Sequence, residues 1–376
     1  MELYQIIHYT IIGCLLFEFS SDYKLKNVVI IIWCTFFTLF GGLRWNTGTD
    51  WFQYLEHFNN CSWETIFSYK RANGHNMEPG FLFINNLVKS LFGQFYIYNL
   101  LVVGLIQYTY YKFCHYFSPQ RPLLMYIIIM TLLPNYFPIR AGLSLGISMW
   151  IWKFIKEKNI VMFFLIALCA TSIHYQCFVL FPIYFFSKLP IKYKTASFVF
   201  FILAFVGVKF QEYFIKITQV LGGDLGDKIY GYTQIQSESY ESNAGSIGFL
   251  TISLNFIFLS IYYYVKSKYG LQKNGYDEDF FKVLICSFII NIGLYFIFKS
   301  GMGDFTRLST LFLSSQLILM TTTINTLCFY RNIIINKLII CLFILYLIYK
   351  APANWSGYWF EYCCVPYHNI FDFNML

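Results

Sequence analysis

Long apolar stretches with few charged residues recur along the whole chain, and they constrain its fold more than any other feature. Within them the apolar residues are continuous and do not alternate with the period of two expected of membrane β-barrel strands. Most approach the roughly 20 residues that a helix needs to cross a bilayer. The sequence therefore predicts an all-α, polytopic membrane protein with about twelve transmembrane helices, at residues 3–19, 28–43, 95–116, 122–137, 141–155, 160–173, 175–187, 195–211, 246–265, 280–298, 308–328 and 333–350.

Composition agrees with this fold class. Of the 376 residues, 57% are hydrophobic and 12% are charged, which is too little polar surface for a water-soluble protein of this size. No soluble domain and no internal repeat is visible, so residues 1–376 are predicted to form a single integral membrane domain. The spans at 160–173 and 175–187 are short for full crossings. They could form one long tilted helix or a hairpin, and the predicted number of spans is 10 to 12.

Basic residues in the short loops predict the orientation. One side collects 16 of the 27 basic residues and 6 of the 19 acidic ones, and the positive-inside rule assigns that side to the cytoplasm. Both termini and the two long loops, at about 44–94 and 212–245, then face outward. Residues 81–93 could form an interfacial or re-entrant helix. The glycine-rich 212–245 loop could act as a mobile lid or face the substrate.

Several functional classes lack sequence support. The net charge of +8 follows from membrane orientation, so we expect no nucleic-acid partner. No phosphate-binding loop, nucleophile elbow or zinc-protease motif occurs. The eleven cysteines are scattered without ligand spacing, so neither a metal site nor a cofactor is predicted.

Three arginines fall on the predicted outer side, where orientation gives no reason for a basic residue. Arg44 follows the second span, Arg140 lies between two closely spaced spans, and Arg307 begins a later one. Each could simply reach for lipid headgroups. If the helices converge, the three would instead form a clamp of permanently charged, fork-shaped donors suited to phosphate or diphosphate oxygens.

Other polar residues fall at the same predicted level. His174 could bind phosphate, transfer a proton, or only bond a backbone carbonyl. Asp50 is the candidate general base, and Tyr54, one helical turn later, could position it or part of the substrate. Glu78 and Asp304 could each pair with an arginine or help to position the substrate.

Glycines surround the first arginine. Gly41, Gly42 and Gly48 are predicted to permit close backbone approach and positive φ, so that the chain leaves its helix sharply. Arg44 and Asp50 would then fold back over the membrane surface. Such a polar loop suits a substrate with a lipid tail and a polar head.

Five motifs together carry a family resemblance. They are RWNTGTDWFQY at 44–54, EPGF at 78–81, PIRAGLSLGISMWIW at 138–152, SIHYQCFVLFPIYFF at 172–186 and DFTR at 304–307. In this order and spacing the chain resembles the EpsG family of Wzy-type polymerases of bacterial O-antigen, capsule and exopolysaccharide. The resemblance extends from about residue 25 to the VPYHNIF segment near the end.

The resemblance implies a reaction at the outer face of the bacterial cytoplasmic (inner) membrane. A growing glycan would pass from undecaprenyl diphosphate to an undecaprenyl-diphosphate-linked oligosaccharide repeat unit, with a chain-length-determining co-polymerase and a flippase as possible partners. The three arginines would stabilise the leaving diphosphate, which makes a metal dispensable. His174 would donate to the same oxygens or help to deprotonate the acceptor hydroxyl, and Asp50 would act as the base.

Three other interpretations stay open. An O-antigen ligase or another polyprenyl-lipid glycosyltransferase would use the same arginines with a different acceptor. A flippase or exporter would be expected to place charges near the bilayer midplane in broken helices, whereas the unexplained charges here gather at one face. A membrane O-acyltransferase would need a second catalytic polar residue beside His174, which the sequence does not provide.

Overall fold

The computed structural model describes residues 2–18, 22–48, 50–69, 77–133, 137, 139–189, 191–221, 249–270, 276–299, 306–353 and 364–372. In these ranges the regular elements are helices, which confirms the all-α prediction. The chain divides into two compact units. The first comprises Met1–Phe178 and Leu327–Leu376, and the second Val179–Thr326.

Most of the helices belong to the first unit. They are α1 (Glu2–Gly13), α2 (Leu15–Glu18), α3 (Tyr23–Gly42), α4 (Trp51–Asn60), α5 (Pro79–Phe92), α6 (Phe95–Phe117), α7 (Pro122–Leu132), α8 (Arg140–Ser148), α9 (Ile151–Lys156), α10 (Ile160–Ile173) and α15 (Ile334–Ala353). A 3₁₀ helix, Tyr175–Lys188, leads into the second unit, which holds α11 (Tyr193–Leu221), α12 (Phe249–Tyr269), α13 (Glu278–Lys299) and most of α14 (Arg307–Phe329).

Every predicted span contains helical structure among the described residues, although several of the spans are interrupted. The first span is broken between α1 and α2, the fifth between α8 and α9, and the fourth ends early, at Leu132. His174 has extended backbone angles and separates α10 from the 3₁₀ helix. The alternative of one long helix over residues 160–187 is therefore wrong.

Three helices among the described residues are both long and apolar enough to cross a bilayer: Tyr23–Gly42, Glu278–Phe298 and Arg307–Phe329. Shorter apolar helices accompany them at Leu3–Glu18, Pro122–Leu132, Ile160–Ile173, Tyr175–Phe186 and Tyr193–Gly207. These elements support a membrane protein, while the total of twelve crossings stays a prediction.

Helix α6 is the centre of the first unit, where it packs on α3, α5, α7 and α8. Gly42 allows the closest approach, because a Cβ atom there would lie 2.7 Å from the Cα of Leu100. Gly41 and Gly42 both lie inside α3, so the prediction of positive φ is wrong for them. It is right for Gly48, whose φ is 105°.

The predicted outer loop at 44–94 is largely helical. It contains α4, a single 3₁₀ turn at Trp63–Thr65, and α5, which ends at Gly93 with the left-handed φ of 68° that glycine tolerates. The helix predicted at 81–93 is therefore present. Of the second long loop, residues up to Leu221 continue α11, and residues 222–248 lie outside the described ranges. The lid stays a prediction.

The second unit buries polar side chains between apolar helices. Asn291 of α13 donates a hydrogen bond to Gln316 of α14 at 3.3 Å. Hydroxyl groups along α14 bond to carbonyls one turn back, as Thr321 does to Leu317. Helix α11 packs closely on α13, because a Cβ atom on Gly207 would lie 2.8 Å from the backbone carbon of Phe296.

Candidate anion-binding site

The EPGF motif forms the tight start of α5. Glu78 precedes the helix, and Pro79 occupies its first turn, where its fixed φ is helical and its missing N–H is not needed. Gly80 has no room for a side chain, because a Cβ atom would lie 2.8 Å from the carbonyl oxygen of Ser172. The start of α5 therefore packs directly on the end of α10, and this contact brings Glu78 beside His174.

Arg140 and His174, both partly buried, meet at the buried carboxylate of Glu78, and the three are here called the Glu78 cluster. Arg140 Nη1 donates to Glu78 Oε2 at 3.0 Å, and His174 Nδ1 lies 3.5 Å from Glu78 Oε1. The backbone N–H of Tyr175 also points to Oε1, at 3.5 Å. Only 3% of the Glu78 side chain is exposed. The carboxylate thus bonds a cation through one oxygen and faces an imidazole with the other.

Arg140 keeps part of its guanidinium uncommitted. Besides Glu78, its Nη1 contacts the Met77 sulfur at 3.3 Å. Its Nε is buried and has no hydrogen-bond partner among the residues that the structure describes. The prediction that Glu78 pairs with an arginine is therefore confirmed, and one edge of that arginine can still donate.

Arg44 lies in the turn that follows α3. The turn pairs with the C-terminal segment as a single antiparallel bridge, in which Trp45 N–H donates to the His368 carbonyl at 2.9 Å. The backbone at Gly48 passes against the guanidinium, since a Cβ atom there would lie 3.0 Å from Arg44 Nη1. The glycine predicted to shape this loop is thus the one that lets the chain curl around Arg44.

The Arg44 guanidinium is buried against an aromatic ring. Only 2% of the residue is exposed, and its Cζ lies 5.2 Å from the centre of the Phe137 ring, in a cation–π contact. Within the described ranges it makes no ion pair and no side-chain hydrogen bond, and its Nε is buried without a partner. A buried charge left in this state is energetically costly.

Burial lowers the pKa of Arg44 to about 10, so the side chain remains protonated at neutral pH. Four nearby groups offset part of this shift: Tyr54, Cys364, Tyr367 and Asp50. Burial also raises the pKa of Tyr367 to about 12, so that phenol is neutral. Asp50 is the one carboxylate of the four, and it is not within ion-pair distance of Arg44.

The surroundings of Tyr54 and Tyr98 relate Arg44 to Arg140. The Tyr54 ring lies 5.8 Å from that of Phe81 on α5. It is within electrostatic range of both Arg44 and the Tyr98 hydroxyl, and Tyr98 is in turn within range of Arg140. Arg44 and the Glu78 cluster therefore belong to one polar region at the shared end of α3, α5, α8 and α10.

The remaining predicted site residues are placed less closely. Asp50 stands just before α4, and its side chain makes no capping hydrogen bond to that helix. Arg307 begins α14 in the second unit and is exposed. Asp304 lies outside the described residues. The three-arginine clamp thus has two members in the first unit, and the role of Arg307 stays a prediction.

Some residues of the region were missed from sequence. Asn85 donates to the Tyr98 hydroxyl at 3.3 Å, while its own side-chain oxygen is buried without a partner among the described residues. Thr47 and Tyr367 hold the turn that carries Arg44. Asn85 could have been noticed in the sequence, because an asparagine on the apolar face of a helix is unusual. The pairing of the C-terminal segment with residue 44 could not be predicted without knowing the fold.

Comparison with known proteins gives one match. A family model described as the EpsG family matches residues 6–369, which is nearly the whole chain. No significant match was found among curated proteins or among solved structures.

Proposed function

The chain belongs to the EpsG family, and from this premise we propose that it polymerises undecaprenyl-diphosphate-linked oligosaccharide repeat units of a bacterial surface polysaccharide. The reaction takes place at the outer face of the cytoplasmic (inner) membrane. A glycan chain leaves its diphosphate carrier and is transferred to a hydroxyl of the next repeat unit. Membrane lipid surrounds the enzyme, and a chain-length-determining co-polymerase and a flippase are the partners we expect.

The observation that supports this proposal most is the burial of Arg44, whose guanidinium has no ion-pair partner among the residues that the structure describes. Burying a guanidinium without an ion-pair partner destabilises a fold by several kcal/mol, because the charge loses its hydration. An anionic ligand would remove that penalty. A diphosphate has the charge and the oxygen geometry that a guanidinium binds in a bidentate manner.

In the proposed mechanism the two arginines of the first unit stabilise the leaving group. As the glycosidic bond breaks, negative charge develops on the diphosphate oxygen, and preorganised cationic donors lower the energy of that state. Arg44 contributes its positive charge to this stabilisation. Arg140 supplies its free edge, while Glu78 fixes its orientation.

The Glu78 cluster also supplies a candidate base. Because Nδ1 of His174 faces Glu78 Oε1, Nε2 is the nitrogen that would take a proton from the acceptor hydroxyl. A base oriented by a buried carboxylate is a recurrent arrangement in acid–base catalysis. Asp50 is the competing base, and its carboxylate lies close enough to Arg44 to raise the pKa of that side chain.

The proposal is tested by deleting the gene in its native host and separating the surface glycan on a gel. Complementing plasmids carry the wild type, Arg44→Ala, or Arg331→Ala as a matched control, since Arg331 is exposed. We expect deletion to leave single repeat units without a high-molecular-weight ladder. Wild type and Arg331→Ala should restore the ladder.

Arg44→Ala should restore little, because loss of one transition-state donor lowers such rates by about 10²–10³-fold. Equal membrane levels of the three proteins are checked by immunoblot. A full high-molecular-weight ladder in the deletion strain would contradict the proposal. Long lipid-linked polymer that fails to reach its final acceptor would indicate a ligase instead.

A further inference from the structure

The segment of residues 364–372 folds back onto the turn that carries Arg44. Two backbone hydrogen bonds join them: Trp45 N–H donates to the His368 carbonyl at 2.9 Å, and Ile370 N–H donates to the Leu43 carbonyl at 3.0 Å. More than 300 residues separate the two strands of this small bridge. The turn is therefore held by a distant part of the chain as well as by its own local hydrogen bonds.

Thr47 fastens the two pieces together. Its hydroxyl accepts the His368 N–H at 3.1 Å and lies 2.9 Å from the Trp45 carbonyl, to which it can donate. The residue is fully buried. A single hydroxyl thus satisfies the segment and the turn at once, and an apolar residue of the same shape would leave the His368 N–H without an acceptor.

The segment also closes the end of α3. The Tyr367 hydroxyl donates to the Phe40 carbonyl at 2.7 Å, and its ring stacks on Phe40 with centroids 4.4 Å apart. Carbonyls in the last turn of a helix lack partners within the helix, and the Tyr367 hydroxyl supplies a partner for one of these carbonyls. Tyr4 of α1 holds the beginning of the segment by donating to the Cys364 carbonyl at 2.6 Å.

These contacts determine where the guanidinium of Arg44 can lie. The Tyr367 ring stacks beside Phe137, the ring on which Arg44 rests. If the segment were released, one wall of this pocket would open. A buried guanidinium that has no ion-pair partner among the described residues would then gain free energy by turning toward water.

We propose that residues 364–372 are a positioning segment of the site, which holds Arg44 in its buried orientation, with Thr47 as the positioning residue that fastens the segment. That Arg44 meets a diphosphate there rests on the proposed function. That the segment holds Arg44 does not, and the two can be tested separately.

The test uses the full chain in detergent micelles, with phenylglyoxal as a guanidinium reagent and mass spectrometry to follow each arginine. In the wild type, Arg44 should react slowly because it is buried. Thr47→Val should speed the modification of Arg44 about tenfold, roughly the effect of losing one buried hydrogen bond. Thr47→Ser should keep the slow rate, and Arg331 serves as the internal reference for reagent.

A second variant ends the chain after Pro366 and should expose Arg44 at least as much as Thr47→Val, while Arg140 reacts at its wild-type rate. Unchanged modification of Arg44 in both variants would overturn the proposal. The proposal would also be overturned if Thr47→Val exposed Arg44 to the reagent and still made full-length polymer, while Arg44→Ala made none. If instead Arg44→Ala polymerises normally while Thr47→Val exposes Arg44, the positioning stands and the proposed function fails.

Discussion

At the scale of single residues, the two arginines of the first unit differ in one respect that matters for both stability and chemistry. Arg140 has a buried carboxylate at 3.0 Å, whereas Arg44 has an aromatic ring and no counterion among the described residues. Removing Arg140 leaves the Glu78 carboxylate without its cation, whereas removing Arg44 eliminates a buried charge. The same substitution should therefore have opposite effects on stability.

We expect Arg44→Met to stabilise the unliganded protein by about 1–4 kcal/mol, the range seen when buried ion pairs are replaced by apolar side chains of similar volume, because it removes a buried charge. Arg140→Met should destabilise it by about 3–5 kcal/mol, because Glu78 loses its partner. Thermal midpoints in detergent measure both. Both variants should lose polymerisation, and a lower midpoint for Arg44→Met would contradict this account of its burial.

The Glu78 cluster makes a prediction about the base. If Glu78 orients His174, then Glu78→Gln and His174→Ala should each reduce the rate by about 10²–10⁴-fold, and the double variant should be little worse than either alone. Asp50→Asn should then have a much smaller effect. A purified assay with lipid-linked repeat units measures these rates, and a large, fully additive loss in Asp50→Asn would transfer the role to Asp50.

The sequence indicated Arg44, Arg140, His174 and Glu78 because each is a polar residue at the end of an apolar run. It did not show which of them meet. The Arg140–Glu78 pair joins positions 62 residues apart, and the contact of Glu78 with the turn at His174 spans nearly 100. Such contacts depend on how helices pack, and apolar periodicity carries no information about that.

At the scale of elements, the positions of the helices were predictable because each apolar run ends at a polar, proline or glycine boundary. The interruptions were not. α1 and α2 separate at Cys14, and α8 and α9 separate between Ser148 and Ile151, with no proline or positive-φ glycine at either point. These breaks come from tertiary packing rather than from local preference.

The contact between α5 and α10 can be tested at Gly80. Gly80→Ala would place a Cβ atom 2.8–2.9 Å from backbone atoms of Ser172, and overpacking of this kind costs about 1–3 kcal/mol. We also expect polymerisation to fall, because Glu78 would shift away from His174. The matched control is Gly13→Ala, which meets no atom within 4 Å. Equal thermal midpoints and equal polymer yields for the two variants would refute the role assigned to this contact.

At the scale of the whole molecule, three sets of contacts restrict how the chain crosses the membrane, because groups that touch at a membrane face must lie on the same side. Glu18 accepts hydrogen bonds from Lys26 at 3.1 Å and Arg121 at 3.3 Å. The Glu78 cluster and the Arg44–Asn369 bridge are the other two sets. Each set requires an even number of crossings between its members. The predicted order of spans satisfies all three, whereas one long helix over 160–187 would violate the last.

The predicted spans place the Glu18 set on one face and the other two sets on the opposite face, so one labelling experiment tests the orientation of the site. Phe67 lies between α4 and α5 and is 85% exposed, and Lys158 lies between α9 and α10. Under the predicted orientation, Phe67→Cys should react with a membrane-impermeant maleimide in intact cells. Lys158→Cys should react only after permeabilisation, with the wild type as the blank for native thiols. The reverse pattern would put Arg44 and the Glu78 cluster on the cytoplasmic face, where a polymerase acting on exported repeat units could not use them.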